Sequence, residues 1–258
     1  MIMIISNSHN FIFIHLEKCG GTSVEAALEP YLSHEDQLLG STLKGESKQS
    51  SLFDQYGMKH VKSKMLWKHS TASNIYNYLG KHEWSKYQKI SIVRDPIDLM
   101  KSLYFFSSKV KKNHLRNTID QSQWQEWLLR RNFPQAWPYQ EQYLWEYANS
   151  EIKGTGFDGF VKGMITNDYQ CARPQINRLR PTFFSSDIGY VVDLSQLNEK
   201  WNDILSVMNY EEDIPLERLN QSERFMEIEM TTKTQRMIRL HFAKDYEYMK
   251  FITGTEWK

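Results

Sequence analysis

The chain has 258 residues, of which 40% are hydrophobic and 24% are charged, so it is long enough to bury a substantial core in one α/β domain. Its 32 basic and 31 acidic residues give a net charge of +1, which excludes a global field for binding nucleic acid or an anionic membrane. Two cysteines are too few for a disulfide framework, and no segment reads as a leader peptide or a membrane span, so we expect a cytoplasmic protein.

The first predicted element is a strand over residues 11–15 that leads into a glycine turn. The strand FIFIH is followed by LEKCGGTS, and a helical pattern begins at Val24. The N–H groups at a helix N-terminus have no intrahelical partner, and together with Lys18 they favour an anion in the turn. Gly20 and Gly21 permit close approach of the backbone to such a ligand. Because Lys18 precedes the glycines, the turn is not a Walker A loop.

Two segments follow before the next clear strand. Residues 34–64 are polar and rich in Ser, Gln and Lys, which predicts a loop or flap. Residues 65–69 read as a strand that ends at His69. The pKa of a histidine lies naturally near neutral pH, so His69 is a candidate general base.

A second strand-to-helix transition follows over residues 89–102. The strand at 89–93 is followed by Arg94, then by Asp95 as a helix cap and Pro96 in the first helical turn. Ser102 lies about two helical turns into that helix. The guanidinium of Arg94 and the hydroxyl of Ser102 are both groups that bind phosphate oxygens.

The remaining chain predicts further helices and one more strand. Residues 109–150 are helical and aromatic-rich, and we expect them on the side of the acceptor, with the aromatic side chains mainly in the core. A late strand is predicted over residues 190–194. Strands that alternate with helices indicate a central, mainly parallel sheet flanked by helices, formed by a single domain over residues 1–258.

These two phosphate motifs, in this order, resemble those of the sulfotransferases that use 3′-phosphoadenosine 5′-phosphosulfate (PAPS). The resemblance is to carbohydrate-type, soluble bacterial members, and it extends to residues 167–173 (NDYQCAR) and to the Asn-x-Ser turn at 220–222. It implies a P-loop-like three-layer sandwich. It also implies transfer of a sulfuryl group from PAPS, with 3′-phosphoadenosine 5′-phosphate (PAP) as product and no metal.

The resemblance also implies roles for particular residues. Lys18 would neutralise charge on the bridging oxygen, and Arg94 and Ser102 would bind the 3′-phosphate. Asn220 and Ser222 would touch the nucleotide. The 5′-phosphate would be held by the rest of the loop, namely Cys19, Gly20, Gly21, Thr22 and Ser23.

Two residues compete for the role of general base. His69 matches the catalytic histidine of the 2-O-sulfating branch, and Glu17 replaces the usual proline beside Lys18. Against Glu17, we expect Lys18 to lower the pKa of its carboxyl group and make it a poorer base. The acceptor is expected to be a hydroxyl or amine of a carbohydrate or small-molecule metabolite. Its identity, the choice between O- and N-sulfation, the oligomeric state and the role of residues 34–64 stay open.

One departure from the family pattern and two rival functions accompany this prediction. Cys19 replaces the usual threonine, and a thiol at a helix N-terminus is expected to be sensitive to alkylation. The rivals are a P-loop kinase-like protein that uses ATP and a non-catalytic module that binds PAPS or PAP. The kinase lacks support because no Gly-Lys-Ser/Thr follows the first strand.

Overall fold

The structure, a computed structural model, describes residues 2–40, 66, 69–117, 139–185, 187–217, 228–253 and 257. The chain forms two compact units. The first comprises Met1–Arg94 and Gln175–Gln221, and the second comprises Asp95–Pro174 and Ser222–Lys258. The chain therefore leaves the first unit directly after Arg94 and re-enters it at Gln175.

Within the described ranges, the first unit contains one five-stranded sheet. Its strands are β1 (Ile2–Ser6), β2 (Phe11–Ile14), β3 (Gln37–Gly40), β4 (Gln88–Val93) and β5 (Tyr190–Asp193), in the order β3-β1-β2-β4-β5. Strand β1 is antiparallel to both of its neighbours, whereas β2, β4 and β5 are mutually parallel. The carboxyl ends of these three parallel strands therefore lie at one edge of the sheet, the usual place for a ligand in such sheets.

The described ranges also contain helices of 5 to 22 residues. In chain order they are α1 (Gly21–Leu28), α2 (Ala72–Trp84), α3 (Pro96–Asn117), α4 (Tyr139–Ile152), α5 (Gly156–Thr166), α6 (Gln175–Leu179), α7 (Trp201–Val207), α8 (Thr232–His241) and α9 (Ala243–Thr253). Short 3₁₀ turns lie at Glu29–Tyr31, Gln170–Ala172 and Leu194–Gln196. None of the helices in the described ranges has the length and apolar run needed to cross a membrane.

The sheet is the core of the first unit. All four residues of β2 and the last four of β4 are buried, as expected for strands with side chains packed on both faces. Helix α1 packs on β1, α7 packs on β4, and α2 packs against α6. Helix α2 begins at a capping box between Thr71 and Asn74 and is interrupted at Gly80, whose backbone is not helical.

The second unit is helical within its described residues. Helices α3, α4 and α5 pack on one another, and α8 packs on α3 and α5. An aromatic cluster lies at this junction, where the ring of Tyr104 contacts Tyr147, Phe157 and Phe160 at centroid distances of 4.9 to 5.5 Å. Helix α3 begins as predicted, with the Asp95 carboxylate accepting from two backbone amides of the first turn.

Several predicted elements are confirmed. The strands predicted at 11–15, 89–93 and 190–194 are β2, β4 and β5, each within one residue at either end. Among the aromatic residues predicted to be core, Tyr143 and Tyr147 are buried. The residues at 118–138 lie outside the described ranges, and the prediction of a single domain over 1–258 stays a prediction.

Other details of the predicted sheet differ from the structure. The sheet is mixed, because β1 and β2 form a hairpin across residues 7–10, and a four-residue link can join only antiparallel neighbours. Strand β3 falls inside the predicted 34–64 loop, where Gln37–Gly40 pairs with β1; residues 41–64 lie outside the described ranges. Of the strand predicted at 65–69, only Leu66 and His69 are described, and neither lies in a strand.

Candidate active site

The loop between β2 and α1 contains two residues with a left-handed backbone. Lys18 adopts a left-handed conformation with φ 60°, and Gly20, the N-cap of α1, has φ 80°. A non-glycine residue in this region costs free energy, and such strain is concentrated at functional sites. Gly20 carries no side chain that could cap the helix; its carbonyl accepts from the Ser23 N–H, but the amides of Gly21 and Thr22 have no side-chain cap from this residue.

The two glycines of the loop are also required by packing within the first unit. A Cβ on Gly21 would lie 2.5 Å from the ring of His15, and a Cβ on Gly20 would lie 2.5 Å from Cδ1 of Leu194. Both distances are far below van der Waals contact. The loop therefore depends on glycine for its fit against the protein itself.

Arg94 joins the second predicted motif to this loop. It follows β4, and its Nη1 donates to the carbonyl oxygen of Lys18 at 3.2 Å. Its backbone is held by Gln175, which accepts from the Arg94 N–H at 2.9 Å and donates to the Arg94 carbonyl at 2.7 Å. A guanidinium and a helix N-terminus thus belong to one small region of the first unit.

Cys19 is not the accessible thiol that its position in the sequence predicts. The residue is 1% exposed. Its Sγ lies 3.2 Å from the carbonyl oxygen of Glu17 and 3.4 Å from Oε1 of Gln175, both of which accept from a thiol. This burial argues against the expected alkylation sensitivity, which stays a prediction for maleimide labelling of the folded protein to test.

His69 lies beside the end of β2. Its Nδ1 is 3.1 Å from the carbonyl oxygen of His15, and the two imidazole rings meet edge to face with centroids 4.8 Å apart. A carbonyl oxygen only accepts, so the proton is assigned to Nδ1 and the basic lone pair of the neutral ring is on Nε2. Burial lowers the pKa of His69 to about 3, and the Glu17 carboxylate opposes part of this shift. The ring is neutral at neutral pH.

Glu17 pairs with Arg178, a cation that the sequence analysis does not name. Its Oε2 lies 2.5 Å from Nη2 of Arg178, and its Oε1 lies 3.8 Å from Nδ1 of His69. All three side chains are at most 6% exposed. The carboxylate therefore bridges Arg178 and the candidate base in a region where water does not screen their charges.

A second buried pair supports the same strand end. His15 Nδ1 contacts Oε1 of Glu25, which lies on α1, and both residues are 1% exposed. The pair ties β2 to α1 beneath the loop. Since the carbonyl of His15 accepts from His69, the pair also fixes the backbone on which His69 rests.

The remaining predicted site residues are placed as follows. Ser23 is buried and its N–H donates to the carbonyl of Gly20 at 3.0 Å, while Thr22 is partly exposed. Ser102 is buried on α3 in the second unit. Asn220 and Ser222 lie outside the described residues. Across the ranges that the structure describes, no group of His, Cys, Asp and Glu side chains is arranged to hold a metal ion.

The sequence did not indicate two residues that contact the site. Gln175 and Arg178 lie three positions apart on α6, and both are at most 4% exposed. The available signal was a Gln and an Arg inside the short, otherwise mainly apolar run PQINRL. That pattern does not predict which residues these side chains contact, because Gln175 lies 81 positions from Arg94 in the chain.

Comparison with known proteins places this geometry in context. A family model described as "Sulfotransferase family" matches residues 2–252. No curated protein shows significant similarity to the chain. Among solved structures, the crystal structure of a sulfotransferase from Alicyclobacillus acidocaldarius is 15% identical, with 96% of each chain covered and a TM-score of 0.40.

Proposed function

The chain belongs to the sulfotransferase family, and from this premise we propose that it transfers the sulfuryl group of PAPS to a hydroxyl or amine of a polar acceptor. The observation that carries the proposal is the region where the β2–α1 loop adjoins the end of β4. There the N-terminus of α1, Lys18 and the guanidinium of Arg94 belong to one cluster of the first unit. Such a cluster suits a ligand with several phosphate oxygens.

The donor is bound by groups of the two motifs in this proposal. The amides from Cys19 to Thr22, with the Thr22 and Ser23 hydroxyls, hold the 5′-phosphate. Arg94 and, by resemblance, Ser102 hold the 3′-phosphate. This second set distinguishes PAPS from adenosine phosphosulfate, which lacks the 3′-phosphate. The roles of Asn220 and Ser222 rest on resemblance alone.

The transfer itself is an in-line displacement at sulfur. PAPS supplies the activated sulfuryl group. His69 accepts the acceptor proton on Nε2 as the acceptor's oxygen or nitrogen bonds to sulfur. Lys18 stabilises the negative charge on the departing phosphate oxygen when its bond to sulfur breaks. PAP and the sulfated acceptor are the products.

The geometry favours His69 over Glu17 as the base. The Glu17 carboxylate is already engaged by the Arg178 guanidinium, whereas the His69 ring is neutral with its lone pair on Nε2. A pKa of about 3 makes that ring a weak base in the free protein. A bound anionic donor raises it, because nearby negative charge favours the imidazolium.

Calorimetric titration without metal tests the donor assignment. We expect PAP to bind the wild type, and 5′-AMP to bind about 10- to 100-fold more weakly, since a charged hydrogen bond contributes about 1.5–3 kcal/mol. Arg94→Ala is expected to remove most of this preference for PAP. Turnover of labelled PAPS with a panel of sugars and polar amines then identifies the acceptor class.

The matched control is Arg236→Ala, which removes an exposed arginine of α8 in the second unit. It is expected to bind PAP like the wild type. Absence of PAP binding, or preference for ATP with Mg²⁺, would contradict the proposal and favour the kinase-like alternative. PAP binding without turnover of PAPS on any acceptor would favour a non-catalytic binding module.

A further inference from the structure

We propose that helix α6 is a positioning element with two separate tasks: Gln175 holds the donor-binding loop and Arg178, acting through Glu17, orients His69. This inference rests on the proposed function and assigns residues that the sequence motifs do not include. It concerns the first unit alone, since α6, β2, α1 and β4 all belong to that unit.

Gln175 links the two phosphate motifs through backbone and thiol contacts. Its side-chain amide exchanges two hydrogen bonds with the backbone of Arg94, at 2.9 and 2.7 Å, as a neighbouring strand would. The same Oε1 also lies 3.4 Å from Sγ of Cys19 in the β2–α1 loop. The residue is fully buried, so water does not compete for these bonds. Gln175 therefore sets the distance between the loop and the start of the Arg94 side chain.

Arg178 lies three residues after Gln175, on the same face of α6. Its guanidinium pairs with Oε2 of Glu17, while Oε1 of that carboxylate lies 3.8 Å from Nδ1 of His69. Breaking a buried ion pair on one side leaves a buried charge, so the pair constrains the carboxylate strongly. The constrained carboxylate faces the protonated ring nitrogen of His69. That arrangement favours the tautomer in which Nε2 is the base.

The charged and titratable groups around His69 come from several elements. His15 follows β2 and contributes its ring and carbonyl, Glu17 lies in the loop, and Arg178 lies on α6. Glu25 on α1 contacts the His15 ring. Of these groups, the Glu17 carboxylate and the His15 carbonyl favour the imidazolium, whereas the His15 ring and Arg178 disfavour it. Removing Arg178 alone therefore shifts the balance toward a charged His69.

The test of Arg178 is the nitrogen NMR spectrum of the histidine rings, with the His69 signals assigned by their loss in His69→Gln. In the wild type we expect a neutral ring protonated on Nδ1. Arg178→Met is expected to raise the pKa of His69, because the Glu17 charge then acts on it without opposition. Arg178→Lys keeps the charge and is expected to restore the wild-type spectrum.

A second variant covers the case in which Arg178→Met does not fold. Glu17→Gln combined with Arg178→Met removes both charges, a change that buried pairs tolerate. In this double variant we expect His69 to remain neutral, with a weaker preference for the Nδ1-protonated tautomer than in the wild type, because only the His15 carbonyl then favours it. If the single and double variants both keep the wild-type tautomer and titration, the orienting role of Arg178 is overturned.

The test of Gln175 is PAP affinity. Gln175→Met keeps the volume but loses both bonds to Arg94, and we expect about a tenfold weaker Kd from two bonds of about 0.5–1.5 kcal/mol each. The His69 spectrum of Gln175→Met is expected to match the wild type.

The Arg178→Met variant is expected to show the opposite pattern. It should bind PAP within about twofold of the wild type, while its kcat falls by up to about 10²-fold because a reacting group is misplaced. Arg236→Met, an exposed change, serves as control for both measurements.

The two tasks make the outcomes distinguishable. If Gln175→Met binds PAP as tightly as the wild type, its role in the loop is overturned. If both variants weaken PAP binding and shift the His69 spectrum equally, α6 is merely structural and the proposal fails. A wild type that binds no PAP contradicts the proposed function and, with it, the role of Gln175. The spectra still decide the role of Arg178 in that case.

Discussion

The environment of a single side chain, His69, illustrates how the site is built from residues. A solvent-exposed histidine titrates near neutral pH, but this ring is almost completely enclosed and its pKa falls to about 3. The neutral ring donates from Nδ1 to the carbonyl of His15, which directs its basic nitrogen away from that strand end. Residue type and place in the sequence predicted the candidate base, whereas its tautomer and its contact with Glu17 depend on the fold.

The low pKa of His69 makes stability depend on pH in a definite direction. The unfolded chain binds the proton near pH 6.5 and the folded chain only near pH 3, so between these values the unfolded state holds more protons. The free energy of unfolding therefore decreases as pH falls through this window. His69→Gln removes this contribution, and we expect a shallower decrease than in the wild type. Urea unfolding at several pH values between 3 and 6.5 measures the free energy of unfolding of both proteins. An equal dependence on pH in wild type and His69→Gln would contradict the burial of an uncharged ring.

At the scale of elements, the β2–α1 loop shows why a motif has a fixed spacing. A strand must end, the chain must turn through a left-handed residue, and a helix must begin without a side-chain cap at the same point. Two constraints favour glycine at position 20. Its backbone is left-handed, with φ 80°, and an added Cβ would lie too close to the side chain of Leu194. The sequence indicated the turn, but not that the glycines fit against Leu194 and His15.

A pair of glycine substitutions separates these two constraints. Gly20→Ala is expected to cost about 1–2 kcal/mol for its left-handed backbone and about 1–3 kcal/mol more for the contact with Leu194. Gly80→Ala is the matched control, since Gly80 has φ 77° but nothing lies within 4 Å of its added Cβ. Chemical denaturation of both variants measures the difference. Equal destabilisation would show that Leu194 moves aside and that only the backbone matters.

At the scale of the whole molecule, the described residues form two units with different construction. The first is an α/β unit around a mixed sheet and holds Lys18, His69 and Arg94, while the second is helical and holds Ser102. Each unit has its own buried apolar core. The sequence motif Arg94–Asp95–Pro96 is the point where the chain passes from the first unit to the second. The motif follows the end of β4 and includes the first residue of α3.

Ligand binding should be visible across the chain by hydrogen exchange. PAP at about 100 times its Kd is expected to raise the free energy of unfolding by about 2.7 kcal/mol. We expect added protection at residues 18–24 and at Arg94. No change is expected around Asp36, whose carboxylate accepts from Ser6 and Ser8 at the carboxyl end of β1, away from the β2–α1 loop. Protection at the start of α3 would support the role predicted for Ser102. Protection confined to segments away from the β2–α1 loop would contradict the assigned donor site.

The sequence by itself determined the strands β2, β4 and β5, the helix start at Pro96 and the residue types of the phosphate motifs. These features are local, because apolar runs, glycines and caps act through neighbours in the chain. Only the tertiary structure decided the antiparallel placement of β3, the burial of Cys19 and the contacts of Gln175 and Arg178. Those contacts join residues far apart in the chain, and a single sequence carries no record of which distant side chains meet when the strands pair.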